Sequence, residues 1–212
     1  MSQPVRGIIR GLDKYLVDSF FQGKSCLDPA NQPDIFLPVQ TSGASVSVYD
    51  TTQESVDSIV SQHSGITANV LDIFNQEVSQ KFDILISSHI LEKVANPEAH
   101  LINLCQNCDY LILDSRVLDS TDSSINLTPA YIQNIITSQG FQSTMPIDTI
   151  FDDFSSFFGW EPENNGEMRE NNRRLFICWR DTVSSPLKPA PVSEPEPASE
   201  PAPEPASEPA SE

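Results

Sequence analysis

The sequence predicts an α/β fold, a largely parallel sheet covered on both faces by helices. Two observations carry this reading. Short apolar runs alternate along the chain with longer amphipathic stretches. Successive runs also end on an acidic or hydroxyl residue, and open sheets of this kind collect their ligand-binding side chains at the carboxyl ends of the strands.

The elements follow in order. VRGIIRGLDKYLVDSFF (5–21) has helical spacing, and SCLD (25–28) is the first strand-like run. IFLPVQTSG (35–43) is helix-compatible but carries Pro38, which removes a backbone donor and makes a short or irregular helix the expectation. ASVSVYD (44–50), ANVLDIF (68–74), FDILISS (82–88) and DYLILDS (109–115) read as strands. QESVDSIVSQHSG (53–65) and NPEAHLINLCQN (96–107) read as the helices between them. In TPAYIQNIITSQG, Thr128 is an N-cap, Pro129 sits at the first helical position and a glycine closes the helix. FQSTMPID (141–148) and RRLFICWR (173–180) are two further strands.

Composition narrows the function. The chain of 212 residues has 12 basic and 30 acidic residues, a net charge of -18. Residues 184–212 form a Pro/Glu/Ala/Ser-rich acidic tail with glutamates at 196, 200, 204, 208 and 212. Such a segment has too few apolar groups to offset its ordering entropy, so an extended, disordered spacer is expected after a domain spanning 1–183. Even without the tail the body is strongly acidic, which argues against a phosphate-neutralising nucleic-acid surface and against docking on anionic membranes. A small or cationic ligand, or a protein partner, is the better match. No apolar run is long enough for a membrane span, and MSQPVRGIIRG lacks the apolar core of a secretory signal, so a cytoplasmic location is expected.

The strand ends carry the chemistry. Asp28, Asp50, Asp72 and the pair Ser87–Ser88 close successive predicted strands and fall along one edge of the sheet. Asp50 lies about 20 residues beyond the first turn, where a carboxylate can accept from both hydroxyls of a ribose. Asp72 stands beside Ile73 and Phe74, a pairing that suits an adenine amine flanked by an apolar slot. Each acid taken alone is equally a helix cap or turn residue.

At these residues the chain resembles the class I S-adenosylmethionine-dependent methyltransferases. KFDILISSHILEKVANPEAHLINL (81–104) is similar to that family's fourth strand and following helix, with Lys93 where a second histidine is common. CDYLILDS (108–115) resembles the fifth strand, and GFQSTMPID with RRLFICWR resembles the hairpin that closes the sheet. The resemblance covers nearly all of the body. It implies a Rossmann-like, three-layer α/β/α fold, mostly parallel with an antiparallel final strand. It also implies S-adenosylmethionine as cofactor, with Asp50 on the ribose and Asp72 and Ile73 at the adenine.

The first loop departs from the family pattern. KSCLDPANQPD (24–34) keeps Asp28 but has Pro29, Ala30 and Asn31 where glycines are usual. Proline fixes φ and removes an amide donor, whereas Asn31 tolerates the left-handed region and replaces one glycine. Asp28, Pro29, Ala30 and Asn31 are therefore expected to line the methionine end of the cofactor, with Ser87 beside them.

Methyl transfer needs a base only if the acceptor arrives protonated. His89, just past the fourth strand, is the candidate, and its alternative is a packing or hydrogen-bonding role. Cys105-Gln-Asn-Cys108 has the spacing of half a zinc site, but no second local pair completes it, and no metal is expected. FDDFSSFFGW (151–160) suits either a cover over the pocket, or a partner surface, or a satellite of the core. The leading function is methyl transfer to a small-molecule or protein acceptor. The alternative is a catalytically inactive module of the same fold, acting through protein partners at the tail or residues 151–160. A nicotinamide-dependent dehydrogenase is disfavoured by the missing glycine fingerprint.

Overall fold

A computed structural model describes residues 12, 15–117, 127–144, 147–148 and 173–189, with backbone only at 116, 147, 148 and 173. In chain order the elements are β1 (Ser25–Asp28), α1 (Pro33–Thr41), β2 (Ser45–Asp50), α2 (Gln53–Gln62), β3 (Ile66–Val70), β4 (Phe82–Ser88), α3 (Pro97–Gln106), β5 (Cys108–Arg116), α4 (Pro129–Ser138), β6 (Phe141–Ser143), β7 (Ile147–Asp148) and β8 (Arg173–Arg180). They build one sheet in the order β3-β2-β1-β4-β5-β8-β6. The pairs from β3 through β5 are parallel, and β8 runs antiparallel to β5. β6 and β7 both pair with β8, at Phe141↔Arg180 and Ile147↔Leu175, so they lie end to end along one edge. The run 141–148, expected as one strand, is thus an interrupted one.

The central strands are buried on both faces, so their sequences are nearly continuous apolar runs. Alternation within those runs still sorts side chains to two cores. Leu27, Leu85 and Leu111 pack with Leu101 and Leu104 of α3 and with Ile132 and Ile136 of α4. Cys26, Ile84, Ile86 and Ile112 pack on the other face with Ile35, Phe36 and Val39 of α1 and Ile59 of α2. The result is the three-layer α/β/α arrangement with an antiparallel final strand that the sequence predicts. Pro38 lies inside α1 without ending it, because Ile35, Phe36 and Val39 anchor the helix on both sides of the missing donor. Helices α2, α3 and α4 are capped by Thr52, Asn96 and Thr128, whose side chains accept from Ser55, Ala99 and Tyr131 backbone N–H groups. Gly140 ends α4 with φ 76°, the left-handed conformation for which glycine carries no penalty.

Strand order reverses between β1 and β4, because β1 has β2 on one side and β4 on the other. A sheet with this reversal is expected to form its ligand crevice outside the carboxyl ends of β1 and β4. Among the described residues no helix is long and apolar enough to cross a membrane.

Two expectations are corrected. The third strand spans Ile66–Val70 rather than 68–74, in register with β2 from Val46↔Ile66 to Asp50↔Val70. It is an edge strand with Ile66 its one buried residue, so its apolar pattern is too weak to set its bounds. Asp72 consequently lies beyond the strand. The helix expected over 5–21 does not extend through its described end. Residues 15–23 form turns and a bridge, Leu16↔Leu187, because the chain there bonds to a C-terminal segment: Val17 N–H donates to the Pro186 carbonyl (2.8 Å) and Lys188 N–H to the Tyr15 carbonyl (2.7 Å). Lys188 Nζ pairs with Asp18 at 2.9 Å, and Pro186 is buried. The body thus continues past residue 183 to at least Lys188. A chain ended after Val183 is expected to be about 1–3 kcal/mol less stable to urea than one ended after Pro189, since it loses these backbone bonds and an apolar contact.

Candidate functional site

The first loop is a turn organised by Asp28. Its carboxylate, at 0% exposure, accepts from Ala30 N–H (Oδ1, 3.1 Å) and Gln32 N–H (Oδ2, 2.7 Å), while Asn31 N–H reaches the Asp28 carbonyl at 3.4 Å. Pro29 occupies the turn position that proline prefers and that needs no N–H. Asn31 takes φ 52°, the left-handed region that Asn enters more readily than other non-glycine residues. Asp-Pro-Ala-Asn thereby closes without glycine. The N–H groups of Ala30, Asn31 and Gln32 are all bound within the loop. Burial drives the Asp28 carboxyl up from 3.8 to about 7, outweighing the two N–H donors that favour its charged form.

The loop is tied to its neighbours by side chains. Asn31 Nδ2 donates to Asp50 Oδ2 at 2.9 Å, joining the loop to the end of β2. Because a carboxylate can only accept, the amide nitrogen of Asn31 must face Asp50, and its Oδ1 points elsewhere. That Oδ1 is buried and has no hydrogen-bond partner. Gln32 Nε2 donates to the Ser88 carbonyl at 3.0 Å, joining the loop to the end of β4. Asp50 Oδ1 accepts from Thr51 N–H at 2.7 Å. Partial burial pushes the Asp50 carboxyl up, but bonds from Ser55, Thr51, Asn31 and Thr52 together hold it below its ordinary value.

Asp72 stands next to this group through the main chain, since Leu71 N–H donates to the Asp50 carbonyl at 2.8 Å. Its carboxylate caps its own turn, accepting from Phe74 N–H (3.0 Å) and Asn75 Nδ2 (2.7 Å). Ile73 is buried in the core, whereas Phe74 is 40% exposed.

On the other side of the crevice, β4 and β5 end in register, with Ser88 opposite Asp114. Ser87 is fully buried and its Oγ has no partner. Ser88 Oγ donates to Asp114 Oδ2 at 2.7 Å and lies 2.7 Å from His89 Nδ1. His89 has φ 60°, and its N–H donates to the Asp114 carbonyl at 3.2 Å. Ser115 Oγ donates to Glu92 at 3.3 Å. Sequence reasoning missed Gln32 and Asp114. The polar pair after ILIS and the aspartate after LIL were the available signal, since both interrupt apolar runs at the same depth of adjacent strands.

The cysteines take no part in this edge. All four are buried free thiols, and burial raises each one, Cys105 to about 12. Among the described residues no cluster of three or more His, Cys, Asp or Glu side chains is arranged for a metal ion. Residues 151–160 lie outside the described residues.

Solved structures of several proteins share this architecture. An S-adenosylmethionine-dependent methyltransferase from Mesorhizobium loti superposes with a TM-score of 0.60 at 15% identity, covering 82% of this chain and 96% of that one. The fold is that of the class I methyltransferases. The magnesium protoporphyrin IX methyltransferase of Synechocystis PCC 6803, solved with bound S-adenosylmethionine, gives 0.56 at 16% identity, covering 83% of this chain and 77% of that one. The [4+2]-cyclase SpnF shares the fold as well, at 0.56 and 12% identity, covering 85% and 82%. No protein-family model and no curated protein matches the sequence.

Asp28 gives a signed pH dependence. Its folded value lies above its unfolded one, so the stability it contributes is complete below 3.8 and is lost as pH rises through about 7. Relative to Asp28→Asn, the wild type is expected to lose unfolding free energy over that window and to level off above it, as measured by urea titrations. A difference that grows with pH would reverse the assignment. At Asn31, replacement by valine is expected to cost about 1–3 kcal/mol in the same assay, because a β-branched residue is strained at this φ, while Asn31→Gly retains the fold.

Proposed function

We propose that this protein is an S-adenosylmethionine-dependent methyltransferase acting on a small-molecule or protein acceptor. The observation that carries the reading is the carboxylate of Asp50 at the end of β2, bound to the first loop at the point where strand order reverses. The Asp50 carboxylate accepts from Asn31 Nδ2 and from Thr51, whose Oγ1 contact is long at 3.5 Å, and the two hydroxyls of a ribose are donors that would take the place of such weak contacts. Two buried polar atoms without partners, Asn31 Oδ1 and Ser87 Oγ, belong to the two elements that flank the crevice. Groups of this kind are stable when a ligand satisfies them. A polar methionine end, with an ammonium to donate and a carboxylate to accept, fits that pair.

In this reading Asp50 holds the ribose, Asp72 meets the adenine amine, and exposed Phe74 supplies the apolar wall in place of buried Ile73. Asp28, Pro29, Ala30 and Asn31 shape the methionine end through a side-chain contact from Asn31, since the loop's own N–H groups are bound internally. S-adenosylmethionine, when bound, supplies a methyl group already activated on a sulfonium, so the chain's task is to align it with an acceptor and exclude water. His89 is the group this reading assigns to receive a proton from an acceptor that arrives protonated.

A second reading has its own support. The internally satisfied loop and the existence of a [4+2]-cyclase on the same fold both fit a chain that keeps the architecture for another use, including a non-catalytic interaction module. Calorimetry separates the two. The wild type is expected to bind S-adenosylmethionine or its demethylated product in the micromolar range, and Asp50→Ala to weaken binding by about ten- to a hundredfold through the lost charge-assisted bonds. No binding at millimolar ligand would leave the second reading standing.

A further inference from the structure

The sheet has an unguarded edge at β3, which is paired on one side only, with β2. Main-chain groups alternate between the two sides of a parallel strand. Leu71 N–H donates to the Asp50 carbonyl, so Thr67 and Asn69 also turn their backbone groups toward β2. Ile66, Ala68 and Val70 therefore turn theirs away from it. Among the described residues, nothing bonds to the N–H or C=O groups of those three. Edge strands are ordinarily protected by a charge, a proline, a bulge or a covering element. The sequence ITANV has neither charge nor proline, and it pairs residue for residue with β2 without a bulge. Apolar side chains stand exposed around it: Val70 at 49%, Phe74 just beyond the strand at 40%, and Val60 at 50% on α2, which packs against β3. The opposite edge differs, since β6 and β7 are short and interrupted.

Charge selects the occupant. From Ser25 to Gln80 the chain holds seven acids and neither lysine nor arginine. Glu54 and Asp57 of α2 and Glu77 beyond β3 are all exposed. We propose that the free edge of β3 docks an extended, lysine- or arginine-bearing segment of a partner protein, which adds to the sheet as a further strand. Its backbone pairs with the outward groups of Ile66, Ala68 and Val70, and its cations meet the surrounding acids. A second copy of this chain fits less well, because edge-to-edge pairing would bring two sets of the same acids together. The acidic tail fits no better, since it carries glutamates and prolines that have no N–H to donate. The inference does not rest on the methyltransferase reading, because it concerns the main chain of an edge strand.

The test is fluorescence anisotropy of the full chain with a short labelled peptide of alternating valine and lysine. Two control peptides accompany it, one with glutamate in place of lysine and one N-methylated throughout. The lysine peptide is expected to bind with a Kd below about 1 mM, and each control to bind at least about tenfold more weakly. Ala68→Pro deletes an outward donor without removing a bond to β2, so circular dichroism is expected to remain native while peptide affinity falls about tenfold. If that variant does not fold, Val70→Lys, which sets a like charge at an exposed position, is read by the same criterion. No binding of the lysine peptide overturns the proposal. Equal binding of the N-methylated peptide also overturns it, since charge alone would then suffice. So does unchanged affinity in a folded variant. Sedimentation showing a wild-type dimer that Ala68→Pro dissociates assigns the edge to a second copy and overturns it as well.

Discussion

The carboxylate of Asp28 sets the geometry on which the rest of the carboxyl edge depends. It is fully buried at the end of β1 and accepts from the N–H groups of Ala30 and Gln32. Those two bonds curl the chain tightly enough that Asn31 must adopt a left-handed conformation, and they set Gln32 at the start of α1. Once Asn31 and Gln32 are fixed, their side chains reach in opposite senses along the sheet edge, one to Asp50 of β2 and the other to the Ser88 carbonyl of β4. Ser88 continues the series to Asp114 of β5. The ends of four neighbouring strands are thus joined by a line of side-chain bonds that starts from one buried acid. The energetic tension is built in: burial opposes the charge on Asp28, and the loop supplies only partial compensation.

This arrangement replaces one solution to a problem with another. Glycine loops turn by lacking a Cβ, whereas this loop turns by side-chain chemistry, with aspartate accepting at both ends of the turn, proline where no donor is needed and asparagine where φ is positive. The exchange has a consequence for binding. Backbone donors become internal, and in the proposed function the burden of meeting a polar ligand moves to side chains, above all to Asn31 Oδ1 and Ser87 Oγ, which are buried without partners.

Much of the fold was legible in the sequence because the central strands are apolar on both faces and the helices carry explicit caps at Thr52, Asn96 and Thr128. Asp28 and Asp50 were legible as strand ends for the same reason. What failed was local signal without a local cause. β3 is an edge strand with little burial, so its bounds, and the placement of Asp72 beyond it, are set by pairing with β2. The chain around Leu16 has helical periodicity but spends its backbone bonds on residues 186–188, a partner distant in sequence. Pro29–Asn31 read as lost glycines because a comparison by type misses that Asp-Pro-Ala-Asn is itself a turn sequence. The Ser88–Asp114 pairing depends on register between two strands, which no single stretch of sequence encodes.

The central claim is that a first loop closed by Asp28 and Asn31 presents, with Asp50, a seat for an adenosyl group. A crystal structure of the protein with the demethylated cofactor tests it most directly. The account predicts the ribose hydroxyls on the Asp50 carboxylate, with Asn31 Oδ1 and Ser87 Oγ no longer without partners and the Asp28 turn unchanged. Ligand density on another face of the sheet, or a bound ligand that leaves Asp50 and both of those atoms untouched, would contradict it.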